Sequence, residues 1–380
     1  MTIHIFNPEH DIALAANLSQ FTAPHAGRQL RHDLGFLPAL WAKEGDVVLV
    51  DDVELAETAF KRFIQSVKRR LTIVSDVETS SFKRGNSLFL PWKQVASNAD
   101  NTSVQPWGWN KALHAALKRH GVGEWLLPTH DQLDAIRQLS HRRTSARLLS
   151  LLRQSGTVGE SFECRSADEV ESLLNRYQRL VLKAPWSSSG RGLRFLDAER
   201  APLSMHAGWL RNIIDRQGSV MVEPYYNKVK DFGMEFTCLT DGSIRYEGLS
   251  LFHTVNGAYT GNIIATESAK REMLSHYLSM DLVDGIRETV CHELPAILQG
   301  RYHGPFGIDM MVCATSNDKA ATTADKCFNL HPCVEINLRR TMGHVALSLT
   351  PNDDDVSCVM RIVYDGSSYS LKLERLHSSL

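Results

Sequence analysis

No Cys-x-x-Cys pair occurs in these 380 residues, although seven cysteines stand at positions 164, 238, 291, 313, 327, 333 and 358. An odd number at irregular spacing is no disulfide framework and suits a reducing compartment. No run approaches the ~18 consecutive apolar residues that cross a bilayer. The start, Met1 to Asp11, turns polar at Asn7, short of the roughly 7 to 15 residue apolar core of a secretory signal. A cytoplasmic protein without membrane contact is the expectation. An excess of one charge is lacking too: 42 basic residues stand against 43 acidic ones, net −1, which leaves no overall electrostatic footprint for nucleic acid. Neither a Gly-x-x-x-x-Gly-Lys-Ser/Thr phosphate loop nor a Gly-x-Ser-x-Gly nucleophile elbow is found.

The composition that remains is globular, 43% hydrophobic and 22% charged, and the length suits two or three domains. Ile3 to Phe6 reads as a first strand ending at the turn dipeptide Asn7-Pro8. Asp46 to Asp52 is an apolar run bounded by acids, as in a strand buried on both faces of a parallel sheet. Helical spacing over Ala26 to Lys43 and Val53 to Lys68 completes a strand, helix, strand, helix order, so residues 1–125 are expected to form an α/β domain. Strands and helices then alternate in an α+β pattern. The apolar strands Phe306 to Cys313 and Cys327 to Asn337 are joined by a hydrophilic insert, as in a hairpin.

Two stretches have chemical potential. In Val181-Leu182-Lys183-Ala184-Pro185-Trp186-Ser187-Ser188-Ser189-Gly190-Arg191-Gly192, a lysine at a strand end precedes a loop of small residues. That combination offers one cation and backbone N–H groups able to wrap phosphate oxygens. A flexible turn beside a surface lysine is the alternative. The second stretch is Asp309 in an apolar strand together with Glu335, Asn337 and Arg339, which alternate with Val334, Ile336 and Leu338 and at a period of two project from one face. Two carboxylates and a carboxamide are hard oxygen ligands suited to magnesium, and arginine suits phosphate. A solvated face with a Glu/Arg ion pair is the alternative, but a lone buried Asp309 would be penalised.

The ordered set resembles the ATP-grasp superfamily: Lys-Ala-Pro with the Ser/Gly loop, then Val222-Glu223-Pro224-Tyr225-Tyr226, then an Asp strand and Glu-x-Asn-x-Arg. The likeness runs from about residue 125 to residue 350. It implies an ATP-grasp fold, with the α/β domain followed by two lobes, 126–222 and 223–380, that clasp ATP. It also implies that Lys183 contacts the phosphates and that Ser187, Ser188, Ser189, Gly190, Arg191 and Gly192 form a flap over them. Val222 to Tyr226 would be the hinge at the adenine, with Glu223, Tyr225 and Tyr226 on the nucleotide and Asp231 at the ribose. Asp309, Glu335 and Asn337 match magnesium ligands, with manganese as the substitute, and Arg339 matches the arginine facing the transferred phosphoryl group. Arg142, in the run His141-Arg142-Arg143, stands where a further basic residue is expected.

The implied activity is ATP-dependent joining of a small-molecule carboxylate to an amine through an acylphosphate, with Lys183 and Arg339 as catalytic groups. Such transfer needs charge neutralisation and alignment more than a protein nucleophile. A small-molecule kinase and a nucleotide-binding regulatory protein are the alternatives.

Other features carry less. His292-Glu293 is followed by Ala296 where a zinc helix needs histidine. Cys313, Cys327, His331 and Cys333 lack zinc spacing and read as buried groups. Trp107 and Trp109 read as packing anchors. Asn7, Glu9, His10 and Asp11 follow the first strand, where ligands bind in open α/β sheets, although a helix cap is the plainer reading. His253 to Ile264, Arg340, Thr341 and His344 are candidates for acceptor binding.

Overall fold

Ile3 and Ile5 alternate with polar neighbours at the start of the chain, and both are fully buried in strand β1 (Thr2–Ile5). In the computed structural model, residues 1–69, 71, 88–96, 103–187, 192–255, 258–315, 327–355 and 357–375 are described. They form two compact units, Met1–Arg137 with Thr260–Lys270 and Arg339–Leu380, and Gln138–Tyr259 with Arg271–Leu338.

In the first unit, β1 leads to α1 (His10–Ala16) and α2 (His25–Leu34). β2 (Val47–Val50) then pairs parallel to β1, Ile3 opposite Val47. Helix α3 (Val53–Lys68) follows, capped by Asp52, whose carboxylate accepts from Leu55 N at 2.9 Å. β3 (Phe89–Pro91) and β4 (Ser103–Pro106) complete a parallel sheet ordered β3-β2-β1-β4. α4 (Lys111–Arg119) starts from the Asn110 cap. Ala56, Phe60, Phe63, Ile64 and Val67, on one stripe of α3, join Val48, Val50 and Phe89 in the core. Leu113 and Leu117 of α4 join Ile3, Ile5 and Leu49 in a second core cluster. This is the expected α/β arrangement, with one correction. The expected helix from Ala26 to Lys43 stops at Leu34 and is followed by a 3-10 turn at Leu37–Leu40. In a continuous helix the ring of Pro38 would strike the carbonyl of Leu34.

Helix α5 (His130–Leu139) leads to the second unit, which opens with α6 (Arg142–Leu151). β5 (Phe162–Cys164), α7 (Ala167–Tyr177), β6 (Arg179–Lys183), β7 (Leu193–Asp197), α8 (Ala207–Gln217) and β8 (Val220–Pro224) follow. These strands form an antiparallel sheet ordered β5-β8-β6-β7. Val170 and Leu174 of α7 and Leu210 of α8 pack with Leu180, Leu182 and Val222. Next come β9 (Lys228–Cys238) and β10 (Ile244–Val255).

β11 (Ala258–Ile264) and α9 (Glu267–Ser275) carry the chain through the first unit and back. α10 (Met280–Leu298), β12 (Gly304–Ala314) and β13 (Phe328–Asn337) complete the second unit. Its long strands are antiparallel neighbours in the order β13-β12-β9-β10. α6 packs on β13 and α10 on both α6 and β10. The insert between β12 and β13 lies mostly outside the described residues.

The chain ends in the first unit with α11 (Met342–Leu347), β14 (Cys358–Tyr364) and β15 (Tyr369–Arg375), where β14 pairs antiparallel with β11 and β15. Cys358, Met360, Leu371 and Leu373 belong to the same core cluster as α3. Asp33 of α2 accepts from Tyr369 N at 2.7 Å. All seven cysteines are free thiols. Among the described residues no helix is long and apolar enough to cross a membrane.

Candidate active site

β6 and β8 run antiparallel with Val181 opposite Glu223, which puts Lys183 diagonally across from Glu223 on the same face. Lys183 Nζ lies 2.6 Å from Glu223 Oε2, and the two side chains are 7% and 8% exposed. Ser161 Oγ donates to the other Glu223 oxygen at 3.4 Å. A buried cation needs an anion, and here the Glu223 carboxylate supplies it.

Beyond Glu223 the hinge residues part. Tyr225 is partly exposed under the Arg179 guanidinium, 3.9 Å from the ring centre, while its backbone N–H donates to Arg179 O at 3.0 Å. Tyr226 turns inward, edge-on to His331 at 5.4 Å, and burial pushes its phenol pKa upward. Asp231 is held within its own sheet: Lys228 Nζ lies 2.6 Å and Thr254 Oγ1 2.5 Å from Oδ2.

Arg142 occupies the first turn of α6. Its Nε donates to Ala184 O at 3.0 Å, its Nη2 to Ser187 Oγ at 3.2 Å, and its Nη1 meets Glu335 Oε2 at 2.6 Å. One buried guanidinium thus ties the root of the Ser/Gly loop to the carboxylate strand. Ala184 N bonds to Gly192 O at 2.9 Å, closing that root. Gly192 is required there, since a Cβ would run into the Ser187 side chain. Ser188, Ser189, Gly190 and Arg191, expected in the flap, lie outside the described residues.

Asp309 and Glu335 are direct cross-strand partners. Asn337, two residues along β13, donates from Nδ2 to Asp309 Oδ2 at 3.1 Å. Ser145 Oγ of α6 accepts from Ile336 N at 2.9 Å and fixes β13 beneath α6. This donor set of two carboxylates and a carboxamide is all oxygen and fits magnesium, which takes one or two protein carboxylates and completes its shell with phosphate and water. Among the described residues no trio of His, Cys, Asp and Glu converges to hold an ion unaided.

Cys333 is a buried thiol on β13, two residues before Glu335. Its thiol pKa is raised first by burial and then by Glu223, while Lys183, Asp309 and Glu335 also act on it. Neither Cys333 nor Ser145 is distinguishable by sequence pattern; only strand packing selects them.

Arg339 departs from the single-face expectation. β13 ends at Asn337 and the chain bends at Leu338 and Arg339, so the period-two alternation stops one step short. Its guanidinium pairs with Asp11 instead, Nη2 to Oδ2 at 2.8 Å. Thr341 then caps α11 in a reciprocal box with His344.

The amino-terminal cluster is chiefly a clip. Asn7 Nδ2 donates to Gly108 O at 2.9 Å and its Oδ1 accepts from Gly108 N at 3.3 Å. Asn110 Nδ2 donates to His10 Nδ1 at 3.3 Å. Arg31 bridges Glu9 at 2.8 Å and Asp51 at 3.1 Å, while burial pushes the Glu9 carboxyl pKa up. Trp107 packs edge-on to Phe6 at 5.0 Å, as a packing anchor should. A Cβ on Gly108 would sit 2.6 Å from His10 Nδ1. Gly108→Ala should therefore destabilise the fold by about 1 to 3 kcal/mol; a urea midpoint equal to wild type would refute the clip.

Two histidines make stability depend on pH. Burial pushes His10 down to about 4, and His331, 0% exposed, likewise to about 4. Among the described residues neither ring nitrogen of His331 has a hydrogen-bond partner. Both rings are neutral when folded, whereas the unfolded chain takes up protons below the ordinary histidine value of 6.5. The stabilising effect is complete above pH 6.5 and is lost as pH falls toward and through 4, by roughly 3 kcal/mol per histidine. His331→Phe should flatten that slope without lowering stability at neutral pH, since it removes two unpartnered polar atoms. Chemical melts at a series of pH values measure both effects, and an unaltered slope would contradict the assignment.

No family model and no curated protein matches the chain. Among solved structures it is similar to N5-carboxyaminoimidazole synthetase from Staphylococcus aureus complexed with ADP, at 12% identity over 96% of this chain and 83% of that one, TM-score 0.47. It is also similar to a biotin carboxylase complex from Campylobacter jejuni, at 12% identity over 95% and 75% of the respective chains, TM-score 0.49.

Proposed function

We propose that the protein is an ATP-grasp enzyme that uses ATP and magnesium to join a carboxylate to an amine through an acylphosphate. The observation that carries this reading is the pair of buried cations beside the Ser/Gly loop, Lys183 on Glu223 at 2.6 Å and Arg142 on Glu335 at 2.6 Å, the latter also bound to Ala184 and Ser187 at the loop root. A purely structural core has little use for two lysine or arginine cations so deeply buried beside a Ser/Gly loop.

In this mechanism Lys183 exchanges its carboxylate partner for phosphate oxygens, and Arg142 holds the loop root against the triphosphate. Asp309, Glu335 and Asn337 would hold a magnesium ion, or manganese, which when bound would offset charge on the phosphate oxygens. In this reading backbone groups of the Val222 to Tyr226 hinge meet the base, Asp231 would turn from Lys228 and Thr254 to the ribose, and Arg339 faces the transferred group. An acceptor carboxylate oxygen attacks the γ-phosphorus and ADP leaves. An amine then attacks the acyl carbon and expels inorganic phosphate. Neither step needs a protein nucleophile; alignment and charge neutralisation do the work. The seven free thiols fit a reducing, cytoplasmic setting.

Screening amino acids, dipeptides and small carboxylic acids in pairs for acceptor-dependent release of ADP and phosphate tests the proposal. A condensed product is expected. A phosphorylated acceptor that accumulates uncondensed would make the protein a kinase, and absence of Mg-ADP binding would reject the reading entirely.

A further inference from the structure

The expected phosphoryl-facing arginine is held by a residue from the opposite end of the chain. Arg339 Nε donates to Asp11 Oδ1 at 2.9 Å and to Oδ2 at 3.1 Å, and Nη2 donates to Oδ2 at 2.8 Å. Nη1 donates to Arg340 O at 3.1 Å. The two side chains are 16% and 17% exposed, so the contact is largely shielded from solvent. Asp11 stands beside buried and hydrogen-bonded groups. It lies in the first turn of α1, directly after His10, which is fully buried against Gly108, and four residues after the Asn7 clip.

We propose that Asp11 is a positioning residue for phosphoryl transfer, fixing the Arg339 guanidinium by its Nε and Nη2 edge. This inference rests on the reading of Arg339 as the group that faces the transferred phosphoryl. A free arginine has many rotamers, and ordering it only at the transition state would weaken catalysis. A planar, doubly held guanidinium loses that freedom before the nucleotide arrives. Arg339 also has no strand to orient it, because β13 ends at Asn337. Asp11 supplies from α1 the constraint that the strand does not. It touches no reacting atom and neither donates nor removes a proton.

The full-length protein can be tested without knowing the acceptor, with Mg-ADP and Mg-ADP plus aluminium fluoride, a planar mimic of the moving phosphoryl group. Wild type is expected to bind the aluminium fluoride complex more tightly than Mg-ADP alone. Asp11→Asn should leave Mg-ADP affinity within about twofold and weaken the aluminium fluoride complex about 10- to 100-fold. Asp11→Glu should recover part of that loss, and Asp11→Asn combined with Arg339→Ala should lose no more than Arg339→Ala alone. Equal weakening of both complexes, or none, overturns the positioning role, whatever the variant's melting temperature. If wild type binds Mg-ADP but aluminium fluoride adds nothing, the role of Arg339 fails and the inference with it. If wild type does not bind Mg-ADP at all, the proposed function itself fails.

Discussion

Glu335→Gln is expected to reduce acceptor-dependent ADP release about a thousandfold or more, equivalent to ~4 kcal/mol of transition-state stabilisation. The glutamate has two tasks. It is the cross-strand partner of Asp309 in the proposed magnesium site, and it holds Arg142 at 2.6 Å. Glutamine keeps the shape and an accepting oxygen but removes the charge from both. Stability should fall only by about 1 to 3 kcal/mol, because the Glu335 side chain is 25% exposed and Arg142 keeps its bonds to Ala184 and Ser187. Asp309→Asn should reproduce the loss of turnover while leaving Arg142 paired. Wild-type ADP release in either variant, with acceptors supplied, would remove the metal from the site.

Lys183→Ala should act on stability and on binding together. Glu223 would be left 8% exposed and without its cation, and breaking a buried pair from one side costs about 3 to 5 kcal/mol. Nucleotide affinity should fall at the same time, since the carboxylate that remains would repel the phosphates. Lys183→Ala combined with Glu223→Gln separates the two effects. Removing the unpaired charge should restore most of the stability in urea melts, while calorimetry with Mg-ADP should still find weakened binding. Full recovery of nucleotide affinity in the double variant would make the pair a structural feature and nothing more.

Much of this arrangement was legible along the chain because the determinants are local. The acid-bounded run at Val47–Val50 became a buried parallel strand, and the Val53–Lys68 helix begins after the Asp52 cap and buries one stripe. Lys183 does end a strand, and Asp309 and Glu335 do face each other across two antiparallel strands. The break after Leu34 is equally local, since Pro38 stands four residues on.

What could not be seen was who holds whom. The position of Arg142 marks it as a basic residue of the site, yet nothing near it in sequence indicates that Glu335, 193 residues further along, shares its guanidinium. Asp231, which the family resemblance assigns to a ribose, pairs in this structure with Lys228 and Thr254. The alternation puts Arg339 on the face of Glu335 and Asn337, whereas its guanidinium pairs with Asp11.

By itself the sequence determined the strand and helix order, the caps and the alternation that brings Asp309, Glu335 and Asn337 to one sheet, because periodicity and capping act within a few residues. Tertiary structure alone decided the ion pairs. With 42 cations and 43 acids in the chain, any charge has many partners of the right sign, and only the packing of one element on another brings a particular two within 3 Å.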